Sequence, residues 1–245
     1  MSDFDFDEVF GDDYLHFYET MLTDERSRRE LDQIVRMLDL APGMRVLDVP
    51  CGHGRIANGL AAMGCEVVGI DANPAFLEVA RRAGRHVDYR LADMRDPIPD
   101  DGGFDRIVNW FTSFGYFDDA TDRRILAGWR RALRPGGRLL IDQPSRPHLF
   151  RLFVAGGHGV ALVERGDDLL IDRTTYDAES GRTETERISV RDGRVRRYRF
   201  SVRTFDLNEL RGWLLEAGFR DVAAYGEDGG SFGLASRRMR VVAGA

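Results

Sequence analysis

The chain has 245 residues and a formal net charge of −6, from 35 basic and 41 acidic side chains. Every basic side chain is an arginine, and lysine is absent. The lack of lysine excludes a phosphate-loop lysine, a Schiff-base lysine and a lysine general base, because each requires an amine that can lose a proton or condense with a carbonyl. Any chemistry must therefore come from other groups.

The composition also bears on compartment and partners. No apolar run approaches the roughly 18–20 residues of a membrane-spanning helix, and the acidic start of the sequence lacks the pattern of a signal peptide. The two cysteines, Cys51 and Cys65, fit neither a zinc site nor a disulfide framework. Since phosphate binding favours a basic surface, the net acidity argues against a nucleic-acid partner. We therefore expect a cytoplasmic protein without a bound metal, a membrane contact or a nucleic-acid partner.

Residues 1–40 are predicted to be helical. After an acidic start, aromatic residues recur at the spacing of one helix face: Phe10, Tyr14, Phe17 and Tyr18. A second helix is predicted from Thr23 to Leu38, because Pro42 and Gly43 end the periodic pattern.

Two parts of the chain, residues 41–145 and 205–245, are predicted to build one α/β core. Five strands alternate with helices in the first part, at 45–49, 66–71, 88–91, 104–109 and 138–142. The helix before the fifth strand is predicted at 122–133, with Pro135–Gly136–Gly137 as its stop. In the second part, a helix at 206–217 precedes strands at 219–225 and 238–243. Such alternation predicts a parallel sheet, whose edge the last two strands would close.

Residues 146–204 are predicted to form an inserted antiparallel layer of hairpins. If Asp192–Gly193 is a two-residue turn, Arg191 lies opposite Arg194, and Glu186 lies opposite Arg199. We interpret the arginine-rich run that begins at Arg191 and ends at Arg203 as a partly acid-paired, solvated face, in preference to an anion-binding patch.

A strand, a glycine turn and a helix start follow one another at residues 46–55. Gly52 and Gly54 allow the backbone to approach a ligand, and the helix start offers free N–H donors. The same segment also fits the dinucleotide-binding fingerprint, with Asp71 lying 19 residues after Gly52, where an acid could hold a ribose diol. A nicotinamide-dependent oxidoreductase is therefore a serious alternative.

Acidic residues lie within or after three successive predicted strands. Asp48 precedes the glycines by four residues, where a pyrophosphate-binding protein gains nothing from negative charge, and it suits a cationic ligand. Asp93 and Met94 follow the third strand, and they supply an acceptor for an exocyclic amine and a soft side chain for an adenine face. Each acid alone is ordinarily a turn residue or helix cap. Their joint occurrence with Asp71 favours a ligand site.

These motifs resemble those of the class I S-adenosylmethionine-dependent methyltransferases. The matching segments are Leu47–Asp48, Cys51–Gly52, Gly54–Arg55, Val68–Asp71, Ala92–Arg95, Phe104–Val108, Phe114–Phe117 and Leu133–Gly137. The sequence is most similar to small-molecule members, such as amino-sugar N-methyltransferases of natural-product pathways, in its aromatic amino-terminal helices and its inserted layer. Pro50 replaces the first glycine of the usual turn.

The resemblance implies an α/β, Rossmann-like fold with a seven-stranded, mostly parallel sheet flanked by helices. Residues 1–40 would form a helical lid, 41–145 and 205–245 the cofactor-binding core, and 146–204 an antiparallel β layer over the active site. S-adenosylmethionine would be the cofactor. Asp48 would meet its ammonium end, Asp71 its ribose hydroxyls and Asp93 its adenine amine. The full set of implied cofactor-binding residues is Tyr14, Tyr18, Asp48, Pro50, Gly52, Gly54, Arg55, Asp71, Ala72, Asn73, Asp93, Met94 and Asn109.

Methyl transfer from a sulfonium mainly requires alignment of the nucleophile and exclusion of water. Tyr116 and His148 are candidates for a base that assists a hydroxyl or a protonated amine. Aromatic residues at 110–117 would line an apolar acceptor pocket. We expect the acceptor to be a small molecule that is methylated on nitrogen or oxygen. A cofactor-binding relative without methyl transfer, similar to a cyclase, is a further alternative.

Overall fold

The computed structural model describes residues 6–98, 103–156 and 159–245. The helices within these ranges are α1 (Phe6–Val9), α2 (Asp12–Tyr18), α3 (Asp24–Leu38), α4 (Arg55–Ala62), α5 (Pro74–Arg82), α6 (Asp119–Ala132), α7 (Arg146–Gly156) and α8 (Leu207–Glu216). The strands are β1 (Arg45–Asp48), β2 (Glu66–Asp71), β3 (Val87–Leu91), β4 (Phe104–Asn109), β5 (Leu133–Pro144), β6 (Gly159–Arg165), β7 (Asp168–Asp177), β8 (Arg182–Arg191), β9 (Arg194–Arg203), β10 (Arg220–Tyr225) and β11 (Arg238–Gly244). Within the described ranges, no helix is both long enough and apolar enough to cross a membrane.

Seven strands form the larger sheet, in the order β10-β11-β5-β4-β1-β2-β3. The five strands from β5 to β3 pair in parallel, whereas β11 runs antiparallel to both of its neighbours. The predicted seven-stranded, mostly parallel sheet is confirmed. The chain order reverses between β1 and β4, and ligands of open α/β sheets bind outside the carboxyl ends of the strands at such a switch point.

Helices cover both faces of this sheet, because its central strands alternate their side chains between two hydrophobic cores. Leu47 and Ile107 face the core that includes residues of α6 and α8. Val46 and Val108 face the opposite core, with residues of α3 and α4. All four side chains are fully buried, as expected of parallel strands between two helical layers.

The structure differs from the prediction around α6. This helix begins at Asp119, before the predicted start, because the Asp118 carboxylate accepts the Thr121 N–H at 2.8 Å and caps it. It ends at Ala132, and the chain enters β5 at once, since Leu133 already pairs with Phe104. The Pro135–Gly136–Gly137 segment is therefore part of the strand element instead of a separate stop. Helix α7, which the sequence pattern did not predict, follows β5.

The smaller sheet has four antiparallel strands in the order β6-β7-β8-β9. Its register places Arg191 opposite Arg194 and Glu186 opposite Arg199, as predicted. Acid pairing of the arginine-rich run is also confirmed, since Glu186 lies within 4 Å of the guanidinium groups of Arg197 and Arg199. Arg203 differs from the predicted solvated face, because it is buried and paired with Glu209.

Candidate functional site

A cavity of about 440 Å³ lies at the carboxyl ends of β1 to β4. Its floor consists of the segments that follow these strands, and Phe6, Phe10 and Tyr14 from α1 to α2 form its roof. This volume is typical of a site for a small molecule. The switch point of the sheet thus coincides with a cavity of suitable size.

Asp48 ends β1 and lines the cavity with its carboxyl group almost fully buried. Its Oδ2 has no hydrogen-bond partner in the described part of the chain. Burial raises the pKa of Asp48 to about 8, against the opposing effects of Arg55 and the Ala57 N–H. A buried carboxyl group of this kind is well suited to a cationic ligand, since the ligand would supply the missing charge and hydrogen bond.

Asp71 ends β2 and ties the glycine turn to that strand. Its Oδ2 accepts the Gly52 N–H at 2.7 Å, and its Oδ1 accepts the Asn73 N–H at 2.9 Å. Burial raises the pKa of Asp71, and these backbone donors act in the opposite direction. Because both oxygens are held in place and each keeps a further lone pair, the carboxylate can accept two neighbouring hydroxyl groups.

Asn73 connects the floor of the cavity to its roof. Its Oδ1 accepts the N–H groups of Ala75 and Phe76 and so caps α5. Its Nδ2 donates to the carbonyl of Phe10 at 3.0 Å. The roof residue Phe10 is therefore fixed directly to the loop after β2.

Asp93 and Met94 follow β3 and line the cavity. Burial raises the pKa of Asp93, but hydrogen bonds from the Arg95 side chain and N–H outweigh it and hold this pKa below its usual range. The Arg95 guanidinium, which contacts both carboxylate oxygens, lies over the Phe117 ring at 4.7 Å. The Asp93 carboxylate, as a hydrogen-bond acceptor, and the apolar Met94 side chain thus lie in adjacent positions after β3.

Glu30 of α3 is a site residue that sequence reasoning missed. Its Oε2 accepts Nη2 of Arg55 at 2.7 Å and Nε1 of Trp110 at 2.9 Å, and its Oε1 accepts Nε of Arg26. Arg55 and Trp110 both line the cavity. Glu30 therefore orients a cation beside Asp48. No local pattern marks it, since it occupies an ordinary position in a charged helix.

Asp142 is a second missed residue, and it shapes the turn after β4. Phe111 and Thr112 line the cavity, and each has a φ of 62°. This left-handed conformation is costly for residues other than glycine. The Asp142 carboxylate accepts the Phe111 N–H at 3.1 Å, and its carbonyl accepts the Thr112 N–H at 3.1 Å. Arg238 and Arg240 hold the Asp142 carboxylate in turn. The wall next to β4 is thus fixed from the neighbouring strand.

The roof is anchored to the smaller sheet as well as to the floor. Asp13 of α2 is buried, and its carboxylate accepts Ser189 Oγ at 2.6 Å and guanidinium groups of Arg191 and Arg196 at 3.0–3.1 Å. Hydrogen bonds and pairing with arginine hold the pKa of Asp13 below its usual value, although burial raises it. Strands β8 and β9 therefore help to hold the roof in place.

Most of the predicted cofactor-binding residues meet at this cavity. Those that line it are Tyr14, Asp48, Pro50, Gly52, Arg55, Asp71, Ala72, Asn73, Asp93 and Met94. Those that the structure places outside its lining are Tyr18, Gly54 and Asn109. Two of these three residues, Tyr18 and Asn109, brace neighbouring groups instead. Tyr18 stacks on Tyr14 at 4.1 Å and accepts a hydrogen bond from Arg187, and Asn109 donates to the Val49 carbonyl at 2.8 Å.

The two predicted bases have different positions. Tyr116 lines the cavity, and burial raises its pKa, so that it is a neutral phenol at physiological pH. His148 does not line the cavity, because it belongs to the first turn of α7, where its Nδ1 lies 3.5 Å from Arg151. The structure therefore gives His148 no contact with this site. His53 does line it, and burial lowers its pKa to about 4.

Residues 46–137 match a family model described as "Methyltransferase domain". The matched range is less than half of the chain. It includes β1 to β4 and the three acids of the cavity floor, Asp48, Asp71 and Asp93. The roof residues and the smaller sheet lie outside the matched range.

The chain is also similar to curated and solved proteins. A ubiquinone biosynthesis O-methyltransferase from Xanthomonas oryzae pv. oryzae is 36% identical over 142 residues, which are 56% of this chain and 58% of that protein. The match thus spans little more than half the length of this relative. The CcbJ methyltransferase from Streptomyces caelestis is 20% identical with a TM-score of 0.74, over 89% of this chain and 88% of that one.

A further similar structure is that of CalS10 from Micromonospora echinaspora, described as an amino pentose methyltransferase with S-adenosylmethionine bound. It is 23% identical with a TM-score of 0.68, over 94% of this chain and 95% of that one. At these identities, the likeness to the two solved structures shows a shared fold that extends beyond residues 46–137.

Proposed function

We propose that the protein transfers a methyl group from S-adenosylmethionine to a nitrogen or oxygen atom of a small molecule. The observation that carries the proposal is the alignment of Asp48, Asp71 and Asp93 at three successive strand ends around one cavity. The matched methyltransferase domain supports it. The curated relative and CalS10 are both named for methyl transfer to small molecules, which supports a small acceptor here.

The lining residues fit the parts of S-adenosylmethionine in chain order. Asp71 would accept the two ribose hydroxyls, Asp93 would accept the adenine amine, and Asp48 would pair with the ammonium group, which would satisfy its buried Oδ2. Arg55, oriented by Glu30, would hold the methionyl carboxylate. When bound, the sulfonium would supply an activated methyl group.

The acceptor would lie beside β4, under the aromatic roof. Phe10, Phe111, Tyr116 and Phe117 line this side and exclude water from the reacting atoms. At neutral pH, Tyr116 stays protonated and His53 stays neutral, because burial raises the pKa of the phenol and lowers that of the imidazole. Both side chains would therefore orient the acceptor by hydrogen bonds, and the acceptor would react through its own lone pair.

Calorimetric titration distinguishes this function from a nicotinamide-dependent oxidoreductase. We expect S-adenosylmethionine and S-adenosylhomocysteine to bind at one site per chain, and NAD to bind about 100-fold more weakly or not at all. The buried Asp48 is the reason, since a pyrophosphate offers its Oδ2 neither a positive charge nor a hydrogen-bond donor. Binding of NAD alone would overturn the proposal. Methylated product from a screen of amine and hydroxyl acceptors would exclude a relative that binds the cofactor without methyl transfer.

The affinity for S-adenosylmethionine is expected to rise with pH up to about 8. Asp48 is protonated in the free protein below its pKa of about 8, and a cationic ligand favours the carboxylate, so binding releases a proton. The association constant should increase by up to about tenfold per pH unit between pH 6 and 8, and the contribution of Asp48 should then level off. The pKa of Asp48 in the unfolded chain is near 3.8. Between pH 4 and 8 the folded state therefore holds a proton on Asp48 that the unfolded state has lost. The free energy of unfolding should consequently fall as pH rises from about 4 to 8.

Asp48→Asn is the control for this pH dependence. The ammonium group of the ligand itself titrates near pH 8, so the slope that Asp48 contributes is the difference between wild type and variant. Equal slopes in calorimetry from pH 6 to 9 would contradict the assignment of Asp48.

A further inference from the structure

Tyr116 and Phe117 line the cavity on the side where the acceptor would lie, and we refer to these two residues as the acceptor wall. Their segment has no regular secondary structure, since residues 110–118 connect β4 to α6 without a helix or a strand. The backbone carbonyl groups of such a segment need hydrogen-bond partners from elsewhere in the chain. The direction of the acceptor wall therefore depends on the groups that hold these carbonyls.

Arg182, the first residue of β8, supplies the partners. Its Nη1 donates to the Phe117 carbonyl at 2.9 Å, and its Nη2 donates to the carbonyls of Gly115 at 3.0 Å and Tyr116 at 3.4 Å. A guanidinium group is planar, and its donors point in fixed directions. Three contacts from this one group therefore fix the direction of the segment as well as its distance from the smaller sheet.

The guanidinium group is itself oriented by strand β9. Nε of Arg182 donates to Ser201 Oγ at 2.7 Å, and Nη2 donates to the Ser201 carbonyl at 3.3 Å. The backbone makes the same connection, because the Arg203 N–H donates to the Gly115 carbonyl at 2.7 Å. A Cβ at Gly115 would lie only 2.7 Å from the Arg203 carbonyl oxygen. The segment thus lies directly against the end of β9, and Arg182 reaches it from the neighbouring strand.

The acceptor wall is in contact with the roof through aromatic rings. The ring centroid of Phe6 lies 5.9 Å from that of Tyr116 and 5.5 Å from that of Phe117. The ring of Phe10 lies 5.7 Å from that of Tyr116. A change in the direction of Tyr116 would therefore alter the roof above it as well. The three acids of the floor belong to different segments, at the ends of β1 to β3.

We propose that Arg182 is a positioning residue that sets the direction of Tyr116 and Phe117 and thereby the shape of the acceptor side of the cavity. In the described part of the chain, Arg182 itself lies outside the cavity lining, so it acts through the carbonyls of residues 115–117. Its effect on methyl transfer rests on the proposed function, whereas its effect on the direction of Tyr116 does not.

Fluorine NMR of protein labelled with 3-fluorotyrosine reports the surroundings of Tyr116 directly. The chain has seven tyrosines, and comparison with Tyr116→Phe assigns the signal. Arg182→Met keeps an aliphatic stem but removes every donor, and it is expected to shift or broaden the Tyr116 signal. Arg182→Lys retains the charge and a donor, and it should shift the signal less. Arg194→Met, at an exposed position at the start of β9, is the matched control and should leave the signal unchanged. A wild-type Tyr116 signal in Arg182→Met would overturn the proposal.

Cofactor binding and turnover separate positioning from general damage to the fold. Arg182→Met should bind S-adenosylhomocysteine as wild type does, because the floor of the cavity is unchanged. With the amine or hydroxyl acceptor that wild type methylates fastest, kcat/KM for the acceptor should fall by about tenfold or more, since a misplacement of about 1 Å can cost about 100-fold. A parallel loss of S-adenosylhomocysteine affinity would overturn the proposal. If wild type methylates no acceptor, the proposed function fails, and the fluorine signal still decides the role of Arg182.

Ser201→Ala tests the same connection without removal of the guanidinium group. It removes only the oxygen that orients Nε of Arg182. We expect it to shift the Tyr116 signal in the same direction as Arg182→Met, but by less. If Arg182→Met does not fold, Ser201→Ala and Arg182→Lys decide the question, and wild-type Tyr116 signals in both variants would overturn the proposal.

Discussion

Asp71→Ala is expected to weaken S-adenosylmethionine binding by a factor of about 100 or more. The wild-type carboxylate would make two charge-assisted hydrogen bonds to the ribose, each worth about 1.5–3 kcal/mol. The substitution also removes the acceptor for the Gly52 and Asn73 N–H groups, so the turn after β1 loses its side-chain connection to β2. Isothermal calorimetry of the purified variant measures the loss.

Two further variants separate the ribose contact from general damage to the sheet. Asp88→Ala removes a carboxylate from β3 whose partner is the neighbouring Arg90, and it should leave affinity unchanged. Asp71→Asn keeps the shape and one acceptor oxygen, and it should bind more tightly than Asp71→Ala. Near-normal affinity of Asp71→Ala would contradict the assignment of the ribose to Asp71.

Gly54→Ala is expected to lower the free energy of unfolding by about 2–5 kcal/mol, as the sum of a left-handed backbone and steric overlap. Gly54 has a φ of 79°, and an added Cβ would lie 2.6 Å from the Cβ of Ala80 and in contact with the Tyr89 hydroxyl. Urea denaturation measures the effect, provided that the slope of the transition is unchanged.

Gly52→Ala is the matched comparison, since Gly52 lies in the same turn. It has a φ of 53°, and an added Cβ would meet no atom within 4 Å. We expect a loss of only about 1–2 kcal/mol in stability from the backbone alone. Because Gly52 lines the cavity, Gly52→Ala should have a larger effect on cofactor affinity than on stability. If the two variants lost similar amounts of stability, steric overlap would not explain why position 54 is glycine.

The residues on the floor of the site could be predicted because local sequence patterns identify the strands that carry them. Asp48, Asp71 and Asp93 each lie within or directly after a strand that hydrophobic pattern alone identifies, and parallel strands bring their carboxyl ends to one edge. The order of the sheet then follows from short, regular connections. This is why three acids separated by more than forty residues meet at one cavity as predicted.

The rest depends on contacts that no local pattern encodes. Glu30 meets Trp110 across 80 positions of the chain, and Asp142 holds the turn at Phe111 across 31 positions. The role of Asn109 could not be predicted for a different reason. A polar residue at a strand end can either bind a ligand or brace a neighbouring strand, and the sequence does not distinguish the two. Its amide donates to the Val49 carbonyl, a role that becomes visible only once β1 and β4 are paired.

The attachment of Asp13 has a consequence for exchanging parts between related enzymes. The roof helix α2 is bonded to Ser189, Arg191 and Arg196, which enter the chain more than 170 positions later. A chimera that received only a foreign amino-terminal segment would leave these groups without their carboxylate. Acceptor selectivity should therefore transfer as a pair of segments, roof together with β8 and β9, onto an unchanged floor.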